Sequence, residues 1–172
     1  MMKQQPLVVQ VVGYKNSGKT TLVCRLVERL AARGIIVGTV KHDAHRFEMD
    51  VEGKDTWRHR EAGARVVAIS SEAMGRTCYL EERYTPLAEM LERMRDMDVV
   101  LVEGFKTEGY PKLAMIRQEE QLELLSRLES LLGVASWLPG ETVRGAAGEG
   151  VPVLDKDDAE GLEALVLKLL AR

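Results

Sequence analysis

The chain has 172 residues, 45% of them hydrophobic, which suits one α/β domain with a sizeable core over residues 1–172. A formal net charge of -3 and a pI near 5.7 leave no general electrostatic footprint for nucleic acid. No apolar run approaches membrane-spanning length and the segment Met1 to Pro6 is too short and polar for a signal peptide, so a cytoplasmic protein is expected.

Leu7-Val8-Val9-Gln10-Val11-Val12 is a short, β-branched apolar run that reads as the first strand of a parallel sheet. Gly13-Tyr14-Lys15-Asn16-Ser17-Gly18-Lys19-Thr20 follows it and spells the phosphate-binding loop G-x-x-x-x-G-K-[ST]. Leu22, Val23, Leu26, Val27 and Leu30 then fall at helical spacing before Gly34. Strand, loop and helix therefore occur in the order that phosphate binding requires.

The residue types match the chemistry. Glycines at 13 and 18 let backbone N–H groups from about Asn16 to Thr21 point inward at a β-phosphate, reinforced by the helix N-terminus. Lys19 is expected to bridge the β- and γ-phosphates, with the Thr20 hydroxyl as a ligand of Mg²⁺.

Ile35 to Val40 reads as a second buried strand, ending in Lys41-His42-Asp43-Ala44-His45 on the edge where ligands of open α/β sheets collect. That cluster admits three readings: a metal site through His42, Asp43 and His45, an anion-contacting surface through Lys41, His42 and His45, or ordinary loop polarity. Arg46 to Lys54, where Phe47, Met49 and Val51 alternate, reads as a short ribbon or an ordered loop. A helix from Asp55 to Ala62 capped by Gly63, strands at Arg65 to Ser70 and Arg76 to Leu80, and a helix from Pro86 to Met94 come next. Met90, Met94 and Met97 are expected as core filler or loop cover.

Val99 to Val102 is the clearest later strand, and it delivers Glu103 and Lys106 to a carboxyl end. Glu103 is thus the expected acidic partner of Mg²⁺, in preference to Asp98 at the strand's start. Further elements are a strand at Leu113 to Ile116, a helix-compatible Glu119 to Leu128, a strand near Leu132 to Ser136, a surface loop over the Gly-rich 139–150, a strand at Val151 to Leu154 and a final helix from Ala159 to Ala171. Asp155-Lys156-Asp157-Asp158 partly matches the guanine-reading N-K-x-D element, but Asp157 or Asp158 is better read as a cap of that last helix. Cys24 and Cys78 lack paired spacing and are expected to be reduced packing residues.

The loop GYKNSGKTTL, the segment KHDAHRFEMDVEGKDTWRHREAGA from Lys41 and LVEGFKTEGYPKLAMIR from Leu101 together resemble the molybdopterin-guanine dinucleotide biosynthesis protein B family, MobB. The resemblance implies a P-loop NTPase-type fold, a mostly parallel sheet flanked by helices with a β-ribbon protruding after the second strand. It also implies GTP and Mg²⁺ binding, a homodimer, and work with the guanylyltransferase MobA in attaching GMP to molybdopterin. Carried over by position, Gly13, Lys15, Asn16, Ser17, Gly18, Lys19, Thr20 and Thr21 would hold GTP phosphates, and Thr20 and Glu103 would belong to the Mg²⁺ region. Lys41, His42, Asp43, His45 and Lys106 would be the cofactor or anion contacts, molybdopterin included.

The chain departs from the G-domain pattern in lacking a clear N-K-x-D and any glutamine or arginine assignable to orienting water, so at most a slow Mg²⁺-dependent GTPase is expected. Alternative readings are a metallochaperone-type GTPase, a small-molecule kinase with Asp43 or Glu103 as base, and a non-catalytic adapter.

Overall fold

Burial on both faces is what makes a run such as Leu7 to Val12 a central parallel strand, and the computed structural model, which describes residues 5–43 and 47–171, places it there. Six strands numbered along the chain, β1 (Leu7–Gly13), β2 (Val37–Lys41), β5 (Val99–Glu103), β6 (Lys112–Ile116), β7 (Leu131–Ser136) and β8 (Val153–Asp155), form one sheet in the order β2-β5-β1-β6-β7-β8. All five neighbouring pairs are parallel. By its contacts the chain divides into two compact units, one running to His42 and resuming at Met90, the other spanning Asp43–Glu89.

In the first unit, alternation along β1 sorts the core into two clusters, since successive side chains of a strand face opposite ways. Val9 and Val11 pack with Leu22, Leu26 and Leu30 of α1 (Lys19–Ala32) and with Leu162 and Val166 of α5 (Ala159–Leu170). Val12, with Ala114 and Ile116 of β6, packs with Leu125 of a 3-10 helix (Glu119–Arg127) and with Val143 and Ala147 of α4 (Gly140–Ala147). Gly133 in β7 permits the close approach of α5, because a Cβ there would lie 2.6 Å from Leu165 Cδ1. Met94 and Met97, both half-buried, lie over Gly38 of β2.

Two expectations are corrected. The 139–150 stretch is not a surface loop: Val143 and Ala147, four residues apart, give α4 a buried face that outweighs the weak helix propensity of its glycines. Cys24 and Cys78 are exposed free thiols rather than packing residues. The described part of 46–54 takes the ordered-loop form rather than the ribbon, with Asp50 accepting from Thr56 and Glu48 pairing with Arg60.

The second unit carries α2 (Asp55–Glu61) and a small antiparallel sheet of β3 (Val66–Ser71) and β4 (Arg76–Glu81), with Ala68 opposite Tyr79. This two-stranded sheet is the ribbon of the fold, and α3 (Leu87–Arg93) follows it in the chain.

Glu163 on α5 is only 1% exposed and joins the last turn of α1 to the residue that caps it, accepting from Arg29 at 2.8 Å and Arg33 at 2.7 Å. The hydrogen bond from Arg33 holds its carboxyl below the usual carboxylate range, against the opposing effect of burial. A depressed folded value means that this contribution is present above the unfolded pKa and is lost as pH falls through the folded one. Glu163→Gln is therefore expected to destabilise the fold by about 1–2 kcal/mol at neutral pH. The gap from the unsubstituted protein should close below about pH 4, as read by urea denaturation at a series of pH values.

Candidate phosphate-binding site

The turn after β1 is set by two close contacts. A Cβ at Gly13 would lie 2.7 Å from Ser17 Oγ and 2.8 Å from the Met115 carbonyl, so only glycine lets the loop lie against β6. Gly18 precedes α1 with φ +102°, and a Cβ there would meet Met115 Cε at 3.2 Å. Asn16, at φ +61°, is a residue type that tolerates the left-handed region.

Two distant side chains hold this loop from outside. Arg117 Nη1 donates to the Asn16 carbonyl at 2.8 Å, and Trp137 Nε1 donates to the Ser17 carbonyl at 3.0 Å. Arg117 and Lys156 both lie near the Trp137 ring, 5.0 and 4.5 Å from its centroid. Neither Arg117 nor the Trp137 side chain carries a local sequence signal for this role, because their loop partners lie 101 and 120 residues away.

The helix behind the loop begins uncapped. Its N-cap residue Gly18 offers no side chain, and no acidic residue occupies the first turn, so the first N–H groups of α1 have no capping side chain from this segment. Ser17 is fully buried with an Oγ that has no hydrogen-bond partner among the described residues. Lys19 Nζ donates to the Tyr14 carbonyl at 2.7 Å across the loop. Burial lowers its pKa below the ordinary lysine value, against the opposing pull of Glu103. Lys15, Thr20 and Thr21 are exposed, the two threonines in the first turn of α1.

Glu103 ends β5 beside that turn. The Thr20 hydroxyl lies 2.9 and 3.1 Å from its two carboxylate oxygens and donates to them, while Lys41 Nζ is 3.6 Å from Oε1. Asp98, at the opposite end of the strand, accepts from the Ile36 N–H and lies away from the loop. The His42 N–H donates to the Glu103 carbonyl, and its ring tilts against Phe105 at 4.5 Å between centroids. Lys106 Nζ sits 4.6 Å from the centre of the Tyr14 ring.

The structure thus brings Lys19, Thr20, Glu103 and Lys41 together, with His42 and Lys106 nearby. Asp43 is exposed and belongs to the second unit, and His45 lies outside the described residues. Among the described residues no group of three His, Cys, Asp or Glu side chains forms a metal-binding cluster. Asp158 caps α5 by accepting from the Gly161 N–H at 2.8 Å, the capping role expected of that stretch. Asp157 is committed to Arg25 and Lys156, whose hydrogen bonds hold its carboxyl below the usual range.

Sequence and fold have counterparts among known proteins. A family model described as molybdopterin guanine dinucleotide synthesis protein B matches residues 8–137. A molybdopterin-guanine dinucleotide biosynthesis adapter protein from Haemophilus influenzae is 40% identical over 149 residues, covering 84% of this chain and 82% of that protein. The crystal structure of Bacillus subtilis MobB superposes with a TM-score of 0.78 at 32% identity, covering 94% of this chain and 96% of that one. At 16% identity, the hydrogenase maturation factor HypB of Archaeoglobus fulgidus shares the fold, with a TM-score of 0.55 and coverage of 96% and 91%. A match across more than half of the sequence, at a level of identity sustained over most of both chains and with the same fold, means that this chain belongs to the MobB family.

Proposed function

We propose that this chain is a GTP-binding accessory protein of molybdenum-cofactor biosynthesis that assists a partner guanylyltransferase, MobA, in attaching GMP to molybdopterin. The observation that carries the reading is the uncapped N-terminus of α1 behind a glycine cradle, with Lys19 and the Thr20–Glu103 pair on its rim. An anion with several phosphates answers each part of that arrangement. The loop N–H groups from Asn16 to Thr21 bind the β-phosphate, and Lys19 exchanges the Tyr14 carbonyl for phosphate oxygens.

Thr20 and Glu103 suit Mg²⁺, a hard cation that takes oxygen ligands, and they would hold it directly or through water. Held by these two residues, such a cation would supply positive charge against the phosphate oxygens. Lys41, His42 and Lys106 extend positive and polar surface outward from that point, toward an anionic pterin. The chain's work in this reading is binding and presentation in the cytoplasm, with both units serving one nucleotide-binding domain and any hydrolysis slow.

A homodimer belongs to the same reading. A two-stranded sheet is marginal by itself, and one face of the ribbon exposes Val66 (55%), Ala68 and Tyr79 (74%) side by side, which a second copy can cover. Sedimentation should give a dimer for the unsubstituted chain and a monomer for Val66→Lys, Tyr79→Lys.

Lys19→Ala is expected to weaken GTP binding by about a hundredfold, while circular dichroism and calorimetry show an unchanged cooperative fold. Unaltered affinity would remove Lys19 from the site.

GTP should compete better than ATP in a titration with Mg²⁺. The preference should survive Asp157→Ala, because that carboxylate is engaged by Arg25 and Lys156. Equal affinities for the two nucleotides would overturn the guanine assignment.

A further inference from the structure

Gln10 is the polar exception in β1, fully buried between Val9 and Val11. Its side chain spans to the corner that follows β5, where Nε2 donates to the carbonyls of Gly104, at 3.1 Å, and of Phe105. That corner has an unusual backbone. Gly104 has φ +101°, and Phe105 has φ +51°, in a left-handed region that a phenylalanine seldom occupies and holds only when its surroundings fix it. The Gly104 N–H donates to the Val11 carbonyl and the His42 N–H to the Glu103 carbonyl, so backbone bonds secure the near side of the corner. Gln10 secures the far side.

The arrangement carries a cost that an apolar side chain would avoid. Gln10 Oε1 is buried with no hydrogen-bond partner among the described residues, and an unsatisfied buried acceptor is unfavourable. A leucine or valine would satisfy the strand and its packing. What an apolar residue cannot supply is the pair of donors at the corner, and the residue directly before that corner is Glu103, whose carboxylate meets Thr20.

We propose that Gln10 is a positioning residue for the Mg²⁺ site: its carboxamide clamps the Gly104–Phe105 corner in the left-handed conformation that aims Glu103 at Thr20. The inference rests on the assignment of Thr20 and Glu103 to Mg²⁺. Gln10 is fully buried with its donors engaged at the corner, so its loss should act on one increment of affinity only, the gain in GTP binding that Mg²⁺ confers.

The test is a GTP titration of the full chain with Mg²⁺ and with excess chelator, using Gln10→Met and Gln10→Leu as donor-free variants that suit a buried strand. The Mg²⁺-dependent gain should fall by about tenfold or more, whereas affinity in chelator stays within about twofold. In the Glu103→Gln background the same substitutions should cause no further loss, because both act on one contact. Equal losses with and without Mg²⁺, unchanged affinities, additive losses in the double variant, or the collapse of both variants to unfolded chain would each make Gln10 a general packing residue and overturn the proposal. The prior assignment fails differently. If the unsubstituted chain binds GTP equally well with and without Mg²⁺, or if Glu103→Gln leaves the gain intact, the metal site itself is misplaced and the clamp goes with it.

Discussion

The parallel register of β1 against β5 is the constraint on which the site depends. Leu7 lies opposite Val99, and the pairing runs without a break to Val11 opposite Glu103. It ends two residues short of Gly13, so the carboxylate that closes β5 reaches the first turn of the helix that the phosphate loop opens. A slip of one residue would turn Glu103 toward the other face of the sheet, and Thr20 would lose both of its carboxylate contacts.

On the other side of β1, β6 serves as the floor of the loop. Its Met115 approaches both Gly13 and Gly18, which ties the identity of two loop residues to a strand a hundred residues away. Arg117, one residue past the end of β6, and Trp137, one residue past β7, then reach the carbonyls of Asn16 and Ser17. Two of the loop's carbonyls are thus satisfied from outside, by side chains at neighbouring strand ends. A backbone carries donors and acceptors in equal number, so carbonyls engaged in this way are withdrawn from the face that the loop turns to a ligand's N–H-seeking groups only if partners such as these exist.

These features differ in how far they could be read from the sequence. The phosphate loop is legible because its chemistry is local: eight consecutive residues between an apolar run and a helical period. Glu103 is legible from position alone, as a carboxylate at the end of a buried run. Gln10 sat in plain view inside β1 and read as part of the apolar run, since its significance lies in a corner 94 and 95 residues further on. Arg117 and Trp137 were hidden for the same reason, because their partners follow from strand order, which short-range periodicity does not encode. The helix Gly140–Ala147 was obscured by composition, its glycines suggesting a loop while two buried positions, Val143 and Ala147, were enough to anchor it. The exposed cysteines mark the opposite error, in which a residue type that is usually buried lies on the surface.

The indole of Trp137 gives the chain an optical property that follows from its place. Its N–H rests on the Ser17 carbonyl, cations stand 4.5 and 5.0 Å from its ring centre, and 45% of the residue remains open to solvent. Emission from an indole in such surroundings depends on the local field and hydration, so any rearrangement of the loop backbone changes its wavelength and yield. Trp57, on α2 in the other unit, contributes a separate background. The protein therefore carries its own fluorophore at the phosphate loop, and the loop's conformational kinetics can be followed in stopped flow without a label.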